Sequence, residues 1–104
     1  MALQITDGNL NEVLSTNELV MVDFFADWCG PCKILGPVVD ELSNEITDVA
    51  IGKLNVSDNP EKSAEYGVTS IPCLIFFKNG KEVDRVRGVL PKSALRSKID
   101  GLKN

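Results

Sequence analysis

Apolar residues along the chain fall into two rhythms, and the changes between them mark out the predicted elements. Residues 19–26 read Leu-Val-Met-Val-Asp-Phe-Phe-Ala. So nearly continuous an apolar run predicts a strand buried on both faces, as in the centre of a sheet covered by helices. Asp23 is the one charged residue within it. From residue 31 to about residue 44 the rhythm becomes helical. Cys32, Leu35, Val39, Leu42 and Ile46 recur at three- and four-residue spacing and form one core-facing stripe. Pro37 lies inside that helix and is expected to kink it by removing a hydrogen bond. Residues 3–5 predict a short first strand and residues 49–56 a third. Between the first two strands, Asn9 as cap and Glu12 at the third helical position predict a short helix with Leu10, Val13 and Leu14 inward. Asn59-Pro60 opens another short helix, which Gly67 can stop.

Residues 73–77 are a strongly apolar strand, and Asn79-Gly80 is a hairpin turn leading to a return strand over 82–87. Val83 and Val86 are three apart, which breaks the alternation of a strand and predicts a bulge or a frayed edge. Gly88-Val89-Leu90-Pro91 turns into a last helix with Leu95, Ile99 and Leu102 inward. The order is β-α-β-α-β-α-β-β-α: parallel βαβ units first, then an antiparallel hairpin. An α/β class follows, with a central mixed sheet flanked by about four helices. No repeat or linker interrupts residues 1–104, which are expected to form a single domain.

Composition narrows the function. A net charge of −4 with dispersed basic residues argues against nucleic acid as a partner. No apolar run reaches membrane-spanning length, and no basic segment followed by an apolar one opens the chain. The expected location is therefore the cytoplasm, where structural disulfides are rare and a CxxC pair is catalytic or metal-binding. The chain has no histidine, so neither a Cys–His nucleophile pair nor a His-containing zinc site can form.

The candidate chemistry gathers at Trp28-Cys29-Gly30-Pro31-Cys32-Lys33, between the apolar strand and the long helix. Cysteines three apart at a helix start share a face. Cys29 sits where unpaired N–H groups and the helix dipole favour negative charge, so its thiol should ionise readily and act as a nucleophile. Cys32 lies one turn deeper, should be the more buried, and is the natural resolving thiol. Gly30 and Pro31 keep the turn tight, Pro31 without loss of a helical hydrogen bond. Asp23 is costly to bury ionised, which would raise its pKa into the range of a proton-exchanging group. Ordinary hydrogen bonding at a strand end is the competing account of Asp23, and a surface position that of Lys53.

The stretch from Val22 through Lys33 resembles the active-site segment of the thioredoxin family, and the order of elements extends the resemblance over nearly the whole chain. The length, and the absence of further cysteines from the central helices, look like a bacterial-type member. The resemblance implies the thioredoxin fold and a protein-disulfide reductase working through a Cys29–Cys32 dithiol/disulfide pair of low potential, set by Gly30 and Pro31. It makes Asp23 the buried acid that moves a proton to and from Cys32, and Lys53 the lysine beside that acid. It makes Pro72 a cis proline packed against the cysteines, a conformation that the bare X-Pro pattern does not settle. Ile71 would offer its backbone to an extended substrate segment, and Trp28, Ile71, Pro72, Gly88 and Val89 would form the substrate rim with Gly30 and Pro31. A thioredoxin reductase as electron donor, disulfide-containing proteins as acceptors, a monomeric state and no tightly bound cofactor are further implications.

The chain departs from the family pattern at Cys73, where threonine is common after the proline, at Phe25, where a second tryptophan is common, and at Thr69-Ser70. Cys73 is expected to be a small buried hydrophobe. Three thiolates plus Asp23 could in principle hold zinc or part of an iron–sulfur cluster, but Pro72 intervenes and no metal is expected. An oxidant or isomerase of the same fold, and a binding module with a redox switch, are the rival functions.

Overall fold

The computed structural model describes residues 1–103. Its elements follow the predicted order: β1 (Leu3–Ile5), α1 (Leu10–Thr16), β2 (Leu19–Phe25), α2 (Gly30–Glu45), β3 (Ala50–Asn55), α3 (Pro60–Glu65), β4 (Cys73–Lys78), β5 (Lys81–Arg87) and α4 (Lys92–Leu102). The strands form one sheet in the order β1-β3-β2-β4-β5. β1, β3 and β2 run parallel; β4 is antiparallel to β2, and β5 to β4. The continuous apolar run thus occupies the centre. Residues of β2 alternate between two cores. Leu19 and Met21 pack with Leu35, Val39 and Leu42 of α2 and with Leu95 and Ile99 of α4. Val20, Val22 and Phe24 pack with Leu10 and Leu14 of α1, and Tyr66 lies against this second core. Helices cover both faces, which is why β2 carries no polar alternation.

The bulge falls where Val83 and Val86 break the alternation. Phe76 pairs with Asp84 and Phe77 with Glu82, so Val83 is the extra residue. It turns outward, while Val86 packs against the α2/α4 core. Asn79 and Gly80 both have positive φ (53° and 82°), the conformation that an Asn-Gly hairpin turn requires.

Two capping expectations are corrected. The Asn9 side chain makes no cap bond to α1. Its Oδ1 instead accepts the Thr6 N–H (2.8 Å) and its Nδ2 donates to Gln4 O (3.0 Å), so the carboxamide braces the turn before the helix. Asn59 likewise stands at the N-cap position of α3, but its side chain makes no cap bond. The α3 N–H groups of Glu61 and Lys62 donate to the Asp7 carboxylate at 3.1 and 2.8 Å, and Asn59 Oδ1 takes the Asp7 N–H at 3.0 Å. An acid more than fifty positions away outcompetes the local cap because an ionised acceptor makes the stronger hydrogen bond.

Candidate active site

The C-terminal end of β2 delivers the chain directly to the cysteines. Phe25 ends the strand, and the Cys29 N–H donates to Ala26 O at 3.2 Å, which folds the connection back under α2. Cys29 is the N-cap of α2. Its Sγ accepts the Cys32 N–H at 3.3 Å, so a donor from the start of α2 is aimed at that sulfur. Cys29 and Cys32 are joined in a disulfide with Cα atoms 5.3 Å apart. Cys32 is the more buried only by a margin too small to separate the two: exposures are 5% for Cys29 and 4% for Cys32. Both pack against Ala26, with Phe25, Val56 and Ile71 around them. In the disulfide form the two sulfurs occupy one small cluster, so chain depth does not separate them.

The segment before β4 closes over the pair. The Ile71–Pro72 peptide is cis. Cys29 Sγ lies 3.9 Å from Ile71 O. The Gly88 N–H donates to Pro72 O at 2.9 Å. Gly88 has φ +95°, so the turn out of β5 needs a residue without a side chain there. Trp28 is 73% exposed with its Nε1 donating to Ser57 Oγ at 3.3 Å, and Val89 is also exposed. The structure thus brings Ile71 to Cys29 and Gly88 to Pro72, and leaves Trp28 and Val89 with apolar surface in solvent.

Asp23 lies behind the disulfide. It falls on the α2 face of β2, in line with Leu19 and Met21, with Lys53 as its register partner on β3 and Leu74 on β4. It is 1% exposed, and its Oδ1 has no hydrogen-bond partner among the described residues. Burial pushes its carboxyl up to about 7; the Lys53 charge opposes the rise and the Asp40 charge adds to it. Asp23 and Cys32 line one cleft of about 460 Å³ with Lys33, Gly36, Asp40 and Lys53. Strand-end hydrogen bonding therefore does not account for Asp23.

Lys53 is neither a surface lysine nor hydrogen-bonded to Asp23. Its ammonium lies 3.0 Å from Asp40 Oδ2, with the side chain 23% exposed. Asp40 escaped the sequence reading, although a signal was present. Cys32, Gly36 and Asp40 are spaced by four along α2, which puts them on one side of the helix. Cys73 lies in the α1 core with Phe24 and Ile75, not in the cluster of the other two cysteines. Burial raises its thiol pKa, against the opposing charges of Arg85 and Arg87. Among the described residues no group of three or more Cys, Asp or Glu could hold a metal ion. No helix among them is long and apolar enough to cross a membrane.

Comparison with known proteins adds sequence and fold. Residues 1–101 match the family model described as Thioredoxin. A thioredoxin of Chlamydia caviae is 50% identical over 95 residues, 91% of this chain and 92% of that protein. Thioredoxin 1 of Synechococcus elongatus is 43% identical over 102 residues, 96% of this chain and 95% of that protein. Among solved structures, a mutant thioredoxin from Halobacterium salinarum NRC-1 superimposes with a TM-score of 0.90 at 40% identity, over 96% of this chain and 88% of that one.

Proposed function

The chain belongs to the thioredoxin family and carries its thiol–disulfide exchange site at Cys29 and Cys32, and from that premise we propose that it reduces the disulfides of other proteins. The Cys29 thiolate attacks one sulfur of a substrate disulfide. That S–S bond breaks, the other substrate sulfur leaves as a thiolate, and a mixed disulfide joins Cys29 to the substrate. Cys32 then gives its proton to Asp23 and attacks Cys29 Sγ. The second substrate sulfur leaves and takes up a proton, and two electrons have passed from the dithiol to the substrate. The chain ends as the Cys29–Cys32 disulfide, the form this structure holds.

The observation that carries this order of attack is the Cys32 N–H aimed at Cys29 Sγ from the start of α2. A sulfur at a helix N-terminus is the one best able to hold negative charge, and so to attack first. Gly30 and Pro31 occupy the first turn of α2, where they shape the ring that the disulfide closes and thereby its potential. Trp28, Ile71, Pro72, Gly88 and Val89 form the rim on which an extended substrate segment lies, with backbone pairing at Ile71. In this reading Lys53 tunes Asp23 by its charge. A thioredoxin reductase returns the electrons, and the protein acts as a monomer with residues 1–104 as one domain. A dithiol that must be kept reduced belongs in a reducing compartment, so the cytoplasm is its place.

Two measurements test the proposal. A Cys32→Ser variant incubated with a disulfide-containing protein should accumulate a mixed disulfide that mass spectrometry locates at Cys29, whereas Cys29→Ser should accumulate none. Equilibration in thiol/disulfide buffers should give a potential well below the glutathione poise of about −220 to −260 mV. A potential near or above that poise would assign the chain to the oxidant or isomerase members of the fold instead.

A further inference from the structure

Three charged side chains run from the sheet into α2. Lys53 and Asp23 are register partners on adjacent parallel strands and share the face that α2 covers. The Lys53 ammonium is nevertheless hydrogen-bonded to Asp40, at 3.0 Å. Asp40 is itself held in place, because its Oδ1 accepts the Ala2 N–H at 3.1 Å. Partial burial pushes the Asp40 carboxyl up, but the Ala2 N–H and the Lys53 ammonium outweigh it and hold it below the usual carboxylate range. The ammonium lies against α2 at Gly36, where a Cβ would stand in ordinary contact, 3.4 Å from Lys53 Nζ. The buried acid, with one oxygen unpartnered among the described residues, has its adjacent cation engaged by an acid that is 31% exposed.

We propose that Asp40 is a positioning residue that anchors the Lys53 ammonium away from Asp23, so that Asp23 remains able to exchange a proton with Cys32. The proposal deepens the reading of Asp23 given above and rests on it. The charged groups that line the cleft with Asp23 are Lys53 from β3, Asp40 and Lys33 from α2, and Asp27 from the segment after β2, of which Lys53 and Asp40 act on its carboxyl; β4 contributes Leu74, which is apolar. Lys53 is the cation at the adjacent register position. An opposite charge brought within about 4–6 Å lowers a carboxyl pKa by about 1–3 pH units. A Lys53 released from Asp40 would therefore move Asp23 out of the neutral range. The side chain of Asp40 is hydrogen-bonded to Ala2 and Lys53 and to neither cysteine, so it acts through Lys53.

The test is a pH titration of the Asp23 side-chain carboxyl by carbon NMR in the full chain, in the disulfide form. Asp40→Asn keeps an oxygen for the Ala2 N–H, and thermal unfolding of each variant checks that the fold is retained. The expected result is a fall in the Asp23 midpoint of about 1–3 pH units in Asp40→Asn. In a Lys53→Met background the same change should move the midpoint by less than half as much. A midpoint that does not move, or that moves equally in both backgrounds, overturns the proposal, since the second outcome would be the direct field of Asp40. The proton-exchange reading is tested separately by the rate at which Cys32 resolves a mixed disulfide. In Asp40→Asn the pH dependence of that rate should follow the new Asp23 midpoint, and Asp23→Asn should lose the dependence. If Asp23→Asn resolves at the wild-type rate across the range, Asp40 still positions Lys53 but the catalytic consequence is overturned.

Discussion

At the residue scale, Asp23 shows how burial carries an ordinary carboxyl into the neutral range at a cost in stability. Its pKa rises from 3.8 to about 7 because α2 and the neighbouring strands exclude water from it. Between those two values the folded chain keeps a proton that the unfolded chain has lost. Folding therefore binds a proton, and stability falls as pH rises through that window, then levels off above it. The full effect corresponds to about 4 kcal/mol, at one pKa unit per ~1.4 kcal/mol. Asp23→Asn should accordingly be more stable than the parent by a few kcal/mol at about pH 9, with the difference vanishing near pH 4, as read by denaturant titration at each pH. Cys73 is the contrasting case. It is 1% exposed, and burial raises its thiol pKa, so little thiolate forms near neutral pH. With Cys29–Cys32 oxidised, Cys73 should resist alkylation by iodoacetamide in the folded protein and react promptly once the chain is unfolded. Rapid modification in the folded state would place Cys73 among the reactive thiols.

At the scale of elements, residues far apart in sequence decide whether short pieces form. α3 has six residues, too few to be stable alone, and its first N–H groups rest on the Asp7 carboxylate. Asp7→Ala should cost about 0.5–2 kcal/mol of stability in denaturant unfolding, as the loss of an N-cap does. The complementary Asn59→Ala change removes no bond to α3, although it does remove the Asn59 contact with Asp7. β1 is bound by a different constraint. Gly52 pairs with Leu3, and a Cβ at Gly52 would overlap the Ile5 side chain and stand 3.0 Å from Leu3 O. Gly52→Ala should therefore destabilise by about 1–3 kcal/mol through overpacking, despite the better β propensity that a side chain brings. An unchanged unfolding midpoint would mean that β1 can shift aside at no cost.

For the whole molecule, the sheet order puts the strand with the most continuous apolar run between two cores and places weaker strands outside. β2 has a strand on each side and a helical layer on each face, whereas β1 has three residues and β5 has an exposed bulge. Native-state hydrogen exchange should reflect that gradient. Amides of β2, β3 and β4 should open only with global unfolding, and those of β1 and outer β5 by smaller fluctuations. Equal protection across all five strands would show that the edges do not open independently. The ion pairs of Glu45 with Lys92 and Arg96 tie α2 to α4, but they are surface pairs and contribute little beside the apolar contacts of Leu35, Val39, Leu95 and Ile99.

Much of this protein is legible without coordinates, because the properties concerned depend on residues close together in the chain. The apolar run of β2, the α2 stripe, the Asn-Gly turn and the Val83 irregularity all report local periodicity, and Cys29 and Cys32 share a helical turn by their spacing alone. Asp23 stands out as a charge where the pattern calls for an apolar residue. Proximity across the chain is what the sequence could not supply. The Asp7 carboxylate takes the first N–H groups of α3 in place of the Asn59 side chain, and Asp40 engages the Lys53 ammonium, because folding brings together groups that are not neighbours along the chain. A buried acid can be suspected from sequence, but which charge lies nearest to it is fixed only when strand register and helix placement are fixed together.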